Sequence, residues 1–297
     1  MGDTEESIRI FEENRSRLLG LAYRILGIMV EAEDAVQDTC VKWLKADHAD
    51  IRTPAAWLTT VCTRRAIDML RAAHKSRVDY FGIWLPEPVR TAETSGAVED
   101  AELASSLSTA FLLMLERLSP KERAAYLLYD VFSQPYSVIA DTLDIEEAAC
   151  RKLVSRARGH VSKEDIRHSP SKQAQEKLLR AFHGAIESGE TDTLAGLLSE
   201  DIKLASDGGG KVIAVPKIVV GKRRILRFIS RGLHRAWAGA KPVLTELNGR
   251  VSAIYTDDDG TISTLSFEYD KDGLGAYIYI VRNPDKLTAL DTQERLV

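Results

Sequence analysis

The period of the apolar residues differs between the first and the last part of this chain, and that difference constrains the fold more than any other feature. Up to about residue 161 apolar residues return every three or four positions, as on helices with one buried face. Phe11, Leu18, Leu19, Ala22, Tyr23 and Leu26 form the first such stripe, and Gly27 follows as a C-cap. A second helix begins near Glu31, with Ala35, Val36, Thr39, Cys40, Trp43 and Leu44 on one face. Thr53-Pro54 supplies an N-cap with proline at the first helical position, and the helix after it runs from Ala55 to about Lys75. Ser119-Pro120 starts another helix, and Pro135 breaks the chain before a helix–turn–helix pattern over 136–158. Two helices, about 172–188 and 191–198, precede a change of pattern. Strand-like runs then lie near 201–206, 242–247, 250–256, 261–270 and 274–281, with a helix at about 222–236. Asp207-Gly208-Gly209-Gly210, Gly249, Asp257–Gly260 and Asp272-Gly273 punctuate them as turns. This last part reads as α+β, helices first and then a meander.

Two polar segments separate the blocks. From Glu87 to Glu102 there are five acids and one base, and Pro86 and Pro88 disfavour a helix, so 79–102 reads as an acidic linker. Residues 162–171 form a second. The whole chain has 297 residues and a net charge of −4, which excludes a uniformly basic nucleic-acid coat but not a local basic face. No apolar run approaches a membrane span, and the acidic start lacks a hydrophobic signal segment, so a cytoplasmic protein is expected. Cys40, Cys62 and Cys150 show no C-x-x-C pairing and read as buried small hydrophobes rather than disulfide or zinc partners.

The chemistry lies in charged helices. The helix from Trp57 to Arg77 carries Arg64, Arg65, Arg71, Lys75 and Arg77 against one acid, Asp68, while Trp57, Val61, Ile67 and Leu70 can face a core. Such a face suits phosphates and stacked bases, or is simply solvated. In the 136–158 pattern Tyr136, Ile139, Ala140 and Leu143 form one stripe and Ala149, Leu153 and Ala157 a second, around a turn at Asp144. The second helix exposes Arg151, Lys152, Ser155, Arg156 and Arg158, the donors a major-groove helix needs. Glu33, Asp34, Gln37, Asp38 and Lys42 share a face of the acidic N-terminal stretch that would repel DNA and could meet a basic protein.

Together Glu33–Thr39, Pro54–Leu58, Ile67–Arg71 and the 120–158 helices resemble an extracytoplasmic-function sigma factor of the sigma-70 family. Trp84-Leu85-Pro86-Glu87-Pro88, the turn Asp207-Gly208-Gly209-Gly210-Lys211 and the tail Asn283-Pro284-Asp285-Lys286-Leu287 are similar to motifs of its SigJ-type subgroup. The resemblance implies a multi-domain fold with two all-α domains, sigma-2 over 1–78 and sigma-4 over 103–161. An α+β SnoaL-like cone, similar to nuclear transport factor 2, would occupy 172–297. It implies that the Glu33–Lys42 face binds the β′ clamp helices of core RNA polymerase, with the β flap as a second contact. The 57–77 helix would melt and read the −10 element of promoter DNA, through Arg64, Arg71, Lys75 and Arg77. The 147–158 helix would read the −35 element. Arg64 stands where the family often has Asn, and Asp144 where it often has Gly.

The three subgroup motifs imply regulation through the C-terminal domain. We expect the linker motif to pack against that domain near the Asp207–Lys211 turn, since a free tether does not need Trp84. Neither metal nor organic cofactor is expected; a small ligand in the cone would be an added partner. A helix–turn–helix regulator with a ligand-binding domain is the alternative, and a SnoaL-type enzyme a weaker one. For an enzyme, Asp207, His183, His234, Tyr255, Tyr269 or Tyr277 would supply acid or base, yet no spacing pairs them. Seven bases and no acids between Lys222 and Lys241 leave a helix that could touch DNA or be solvated.

Overall fold

The structure, a computed structural model, describes residues 2–78, 80–91, 106–161, 170–237, 239–257 and 259–290, without the side chains of 2–4 and 74–78. The acidic stretch 92–102 and most of the 162–171 linker therefore lie outside the described residues. The chain divides into two compact units, Met1–Val78 with Thr91–Asp165, and Asp79–Arg90 with Ile166–Val297. The first part of the acidic linker thus belongs with the C-terminal unit.

The first unit is helical. Helix α1 (Gly2–Leu26) ends where Gly27, at φ 77°, turns its N–H to the Tyr23 carbonyl at 2.7 Å. Helices α2 (Met29–Lys45) and α3 (Pro54–Val78) pack on it. Leu18, Leu21 and Leu26 of α1 and Ala32, Val36 and Trp43 of α2 are all buried in the core. The buried row of α3 is Leu58, Cys62, Ala66, Ile67 and Leu70. Trp57 and Val61, expected in that row, are only half-buried, because the helix turns its Leu58–Cys62 side inward; Trp57 lies beside Trp43 instead, ring to ring at 5.5 Å.

Helix α4 (Thr109–Leu115) is followed by α5 (Pro120–Tyr126), which opens on a complete capping box between Ser119 and Glu122 with proline at its start. A π turn (Leu127–Val131) leads to Pro135 and to α6 (Tyr136–Leu143). Asp144 closes α6 in the left-handed region, φ 52°, a conformation a short polar side chain tolerates. Helix α7 (Glu147–His160) then buries Cys150, Val154 and Ala157. That corrects the expected stripe: Ala149 is exposed and Leu153 half-buried, since the turn restarts the helix in a different phase.

Two buried arginines that the sequence reading passed over join these blocks. Arg24 donates to Ser106 Oγ and to the Gly20 carbonyl, both at 2.8 Å, and Arg123 donates to the Arg24 carbonyl at 3.0 Å and pairs with Glu116. Burial lowers the Arg24 pKa to about 10.

In the second unit, α8 (Lys172–Ser188) and α9 (Asp192–Ala195) precede β1 (Leu198–Asp207) and the two-residue β2 (Val219–Val220). Helix α10 (Lys222–Phe228), a π turn (Ile229–Leu233) and α11 (His234–Trp237) run on without a break. Strands β3 (Val243–Leu247), β4 (Arg250–Thr256), β5 (Ile262–Tyr269) and β6 (Gly275–Val281) form the meander. Among the described residues they make a six-stranded sheet in the order β2-β1-β6-β5-β4-β3. All pairs are antiparallel except β1 with β6, which is parallel. The parallel pair was not legible as such, because it joins the first long strand to the last across the intervening helices. The core lies between helices and sheet, with Leu178, Phe182, Ile186, Ile225, Ile229 and Trp237 against Tyr255, Leu265, Phe267 and Ile278.

Candidate functional site

On α2 the residues Glu33, Asp34, Gln37 and Lys42 are exposed, and so are the apolar Val30, Val41 and Leu44. Uncovered valines and a leucine among charges are a feature of protein-docking faces. Asp38 departs from the rest of the face: it is half-buried and pairs with Arg65 of α3 at 2.6 Å.

Helix α3 presents Arg64 and Arg71 outward. Arg71 pairs with Asp68 at 3.1 Å. Arg64 is held differently from the expectation of a free base-reading side chain. Its Nε donates to the Thr142 carbonyl at 2.8 Å and its Nη2 to the Asp141 carbonyl at 2.7 Å. Those carbonyls close the last turn of α6, the negative end of that helix, which suits a cation. Thr60 Oγ1 meets Thr142 Oγ1 at 3.0 Å beside them. The helix expected to read −10 is therefore fastened to the support helix of the helix–turn–helix. The side chains of Lys75 and Arg77 lie outside the described residues.

Arg151, Lys152, Ser155, Arg156 and Arg158 are all exposed on α7. Arg151 lies 4.8 Å over the Tyr136 ring and pairs with Glu147; Arg156 is 3.8 Å from Glu122. Arg158 lies 4.8 Å over Tyr129 and takes both oxygens of Asp130, each 3.0 Å from Nε. These bonds orient the side chains without burying them.

The C-terminal unit brings the three subgroup motifs to one point, the fully buried carboxylate of Asp207. One oxygen accepts from Tyr80 Oη at 2.6 Å and from the Gly209 N–H at 3.0 Å. The other accepts from the Leu85 N–H at 2.9 Å and from Lys286 Nζ at 2.7 Å. Lys286 Nζ also donates to the Leu85 carbonyl at 2.5 Å and lies 4.5 Å over the Trp84 ring. Asn283 donates to Tyr80 Oη at 2.9 Å and accepts from the Asp285 N–H at 3.1 Å, and Asp285 pairs with Lys211 at 2.7 Å. Gly209, at φ 62°, leaves no room for a side chain: a Cβ there would sit 2.4 Å from the Asn283 amide. Burial, then the hydrogen bond to Asp207, raises the Tyr80 pKa.

Beyond Pro88 the linker runs beside the sheet. Val89 and Asn248 exchange two bonds of 2.9 Å, and Arg90 pairs antiparallel with Leu247 and donates to Thr245 Oγ1 at 3.0 Å. Tyr80, Val89, Arg90, Thr245 and Asn248 are members of this assembly that the sequence reading missed. Asn248 had a signal, the Asn-Gly turn between β3 and β4, whose left-handed φ of 51° aims the amide at the linker.

The acid–base candidates of the cone scatter. Asp207 belongs to the linker assembly; His234 hydrogen-bonds the Ile186 carbonyl at 2.5 Å, and Tyr277 accepts from Lys203 at 2.9 Å. His183 and Tyr255 come within 6.1 Å ring to ring, and Trp237 stacks on Tyr255 at 4.6 Å. Among the described residues the buried His183 Nδ1, Trp237 Nε1, Tyr255 Oη and Tyr269 Oη have no partner.

A helix–turn–helix with a basic second helix, beside a helical block with its own basic helix, places the chain in the class of DNA-binding transcription proteins. The family model for sigma-70 region 2 matches residues 10–76, and that for sigma-70 region 4 matches residues 108–161. The ECF RNA polymerase sigma factor SigJ of Mycobacterium tuberculosis is 33% identical over 298 residues, 96% of this chain and 94% of the relative. The probable ECF RNA polymerase sigma factor SigI of the same species is 30% identical over 210 residues, 70% of this chain and 72% of that one. The crystal structure of M. tuberculosis SigJ aligns with a TM-score of 0.76 at 32% identity, covering 95% of this chain and 98% of that one. The chain belongs to the extracytoplasmic-function sigma factors of the sigma-70 family and is similar to SigJ over almost its whole length. Its helical sigma-2 and sigma-4 regions and its mixed C-terminal sheet domain are those of that family and that structure. Among the described residues no helix is long and apolar enough to cross a membrane.

Proposed function

We propose that this sigma factor engages core RNA polymerase, on its β′ clamp helices, through the Glu33–Lys42 face of α2. The β flap is then met by the sigma-4 region, the −35 duplex is read by Arg151, Lys152, Ser155, Arg156 and Arg158, and the opened −10 strand by α3. The observation that carries the polymerase assignment is the uncovered row of Val30, Val41 and Leu44 among the charges of α2. In this reading Arg64 has two states: bonded to the end of α6 in the free protein, and released to the opened strand in the initiation complex. The chain acts in the cytoplasm as a binding protein, with no turnover of its own.

Control is assigned to the C-terminal domain, acting through the linker clasped at Asp207. The cone interior, where His183, Trp237 and Tyr255 hold unpaired polar atoms, is where a small effector would sit. Run-off transcription with purified core polymerase tests the whole reading. Asp34→Lys with Asp38→Lys should lower polymerase affinity several-fold at physiological salt while the far-UV spectrum stays unchanged. Undiminished affinity removes the α2 face from the assignment.

A further inference from the structure

Much of the positive charge of the C-terminal unit is gathered in one stretch. Residues 208–245 contain nine lysines and arginines and neither aspartate nor glutamate, in a chain of net charge −4. The continuous helix through α10, the π turn and α11 sorts these charges. Its buried side chains are Ile225, Ile229, Leu233 and Trp237, each four residues after the last. A regular α-helix would rotate such a series by about 40° per step, at 3.6 residues per turn. The wider π turn takes back part of that drift and keeps the row against the sheet.

The same correction straightens a second row. Arg223, Arg227, Arg231 and Arg235 recur at the same interval, two residues out of phase and so on the opposite side of the helix. All four are exposed. Along the axis they follow one another at about 6 Å. Among the described residues no carboxylate pairs with any of them, whereas Lys222 and Lys211 pair with Glu200 and Asp285, each at 2.7 Å. Exposed like charges four residues apart weaken a helix. A row of guanidinium forks without carboxylate partners, Glu200 nearby being taken by Lys222, fits a ligand that presents regularly spaced phosphates.

We propose that this row is a further, sequence-independent contact to the phosphate backbone of DNA, made by the C-terminal domain itself. The proposal rests on the promoter-binding reading above. It is tested with the full chain assembled on core polymerase, by fluorescence anisotropy on a promoter fragment as salt rises from about 50 to about 200 mM. The four arginines are replaced together by Gln, and in a second variant by Lys. If each contacts a phosphate, the Gln variant loses about 0.9 of salt slope per contact. Over that range the parent's affinity should therefore fall about 150-fold more than the variant's. The Lys variant keeps the charge and should keep the slope. An unmoved slope in the Gln variant, with the parent binding normally, overturns this proposal alone. A parent holoenzyme that binds no promoter fragment overturns the promoter reading and this proposal together. Should the Gln variant lose affinity for core polymerase without DNA while its DNA slope is unchanged, the row faces a protein and the proposal is wrong.

Discussion

Lys286 and Arg151 are built from the same parts. Each cation lies beside a carboxylate and over an aromatic ring, Asp207 and Trp84 for the lysine, Glu147 and Tyr136 for the arginine. The difference is water. The Lys286 side chain is 5% exposed and that of Arg151 61%. A buried cation must be held by every neighbour it has, and removing one leaves an unpaired charge in a poor solvent. An exposed pair is worth little and is readily traded for a better anion. The clasp at Asp207 is thus suited to fixing a chain segment in place, and the α7 surface to exchanging partners. Burial, more than residue type, separates the two tasks.

Alkali should show the largest difference between the two units. Burial raises the pKa of Tyr255, Tyr269 and Tyr80 in the C-terminal unit, helped by Glu187, Glu268 and Asp207 respectively. A folded-state pKa above the unfolded one means that the native state holds the proton longer. The stability it adds is complete below pH ~10 and lost as pH climbs beyond it. In the helical unit Tyr126, raised to about 12 by burial and Asp130, and the Cys62 thiol, pushed up to about 12 by burial, act in the same sense. Arg24, lowered to about 10, acts in the opposite one, because there the unfolded chain binds the extra proton. The sheet domain should therefore unfold first above pH ~10. Tyrosine absorbance followed with far-UV circular dichroism would show strand signal lost before helix; simultaneous loss would break the contrast.

Next in size is Lys286→Met. Leaving Asp207 buried without its cation should cost about 3–5 kcal/mol in denaturant unfolding of the C-terminal unit. The double variant with Asp207→Asn should recover part of that loss, because no buried charge is then left unpaired. Smaller again is Gly209→Ala. It places a methyl group against the Asn283 amide at a left-handed φ, and should cost about 1–3 kcal/mol. In both variants a cross-linker on residue 84 should reach the C-terminal domain less often than in the parent. A Gly209→Ala protein as stable as its parent would show that the turn can shift and that the clasp is looser than drawn.

Much of this was legible beforehand, for identifiable reasons. Helix ends at Gly27, Ser119-Pro120 and Asp144 carry their own local chemistry, so they could be read without tertiary information. The meander strands are bounded by glycine and aspartate turns, and their limits followed. The packing of the linker motif near the Asp207 turn was expected because a tryptophan in a free linker has no use; that the Asn283–Leu287 tail closes the same assembly was not. What escaped was set by distant partners. Nothing local to Arg64 says that its guanidinium will cap α6, 77 and 78 residues further on. Nothing local to Arg24 marks it as buried, since an arginine in an amphipathic helix is ordinarily exposed. Trp57 and Ala149 were misplaced because three- and four-residue spacings leave the phase of a helix open by one residue.

The smallest effect on stability, and the largest on binding, is expected on α7. Arg151→Ala, Arg156→Ala and Lys152→Ala together remove exposed charges whose partners stay satisfied when released: Glu147 is hydrated, and Glu122 keeps its bonds from Ser119. The melting temperature should stay within the error of the parent, since pairs of this kind contribute little. Promoter binding should respond differently according to what each residue touches. A side chain that reads a base edge carries about 1–3 kcal/mol of discrimination, so its loss relaxes sequence preference at one position. A phosphate contact instead lowers affinity for every sequence and reduces the salt slope by about 0.9. Competition between promoter fragments with single −35 substitutions, run at two salt concentrations, separates these outcomes for each single variant. The Arg151 stack on Tyr136 gives a further expectation. Tyr136→Leu removes the ring that orients the guanidinium while leaving its charge, and should lower discrimination without moving the salt slope. If Tyr136→Leu instead changes the slope and spares discrimination, Arg151 holds a phosphate, and the reading of bases falls to Lys152, Ser155 and Arg156.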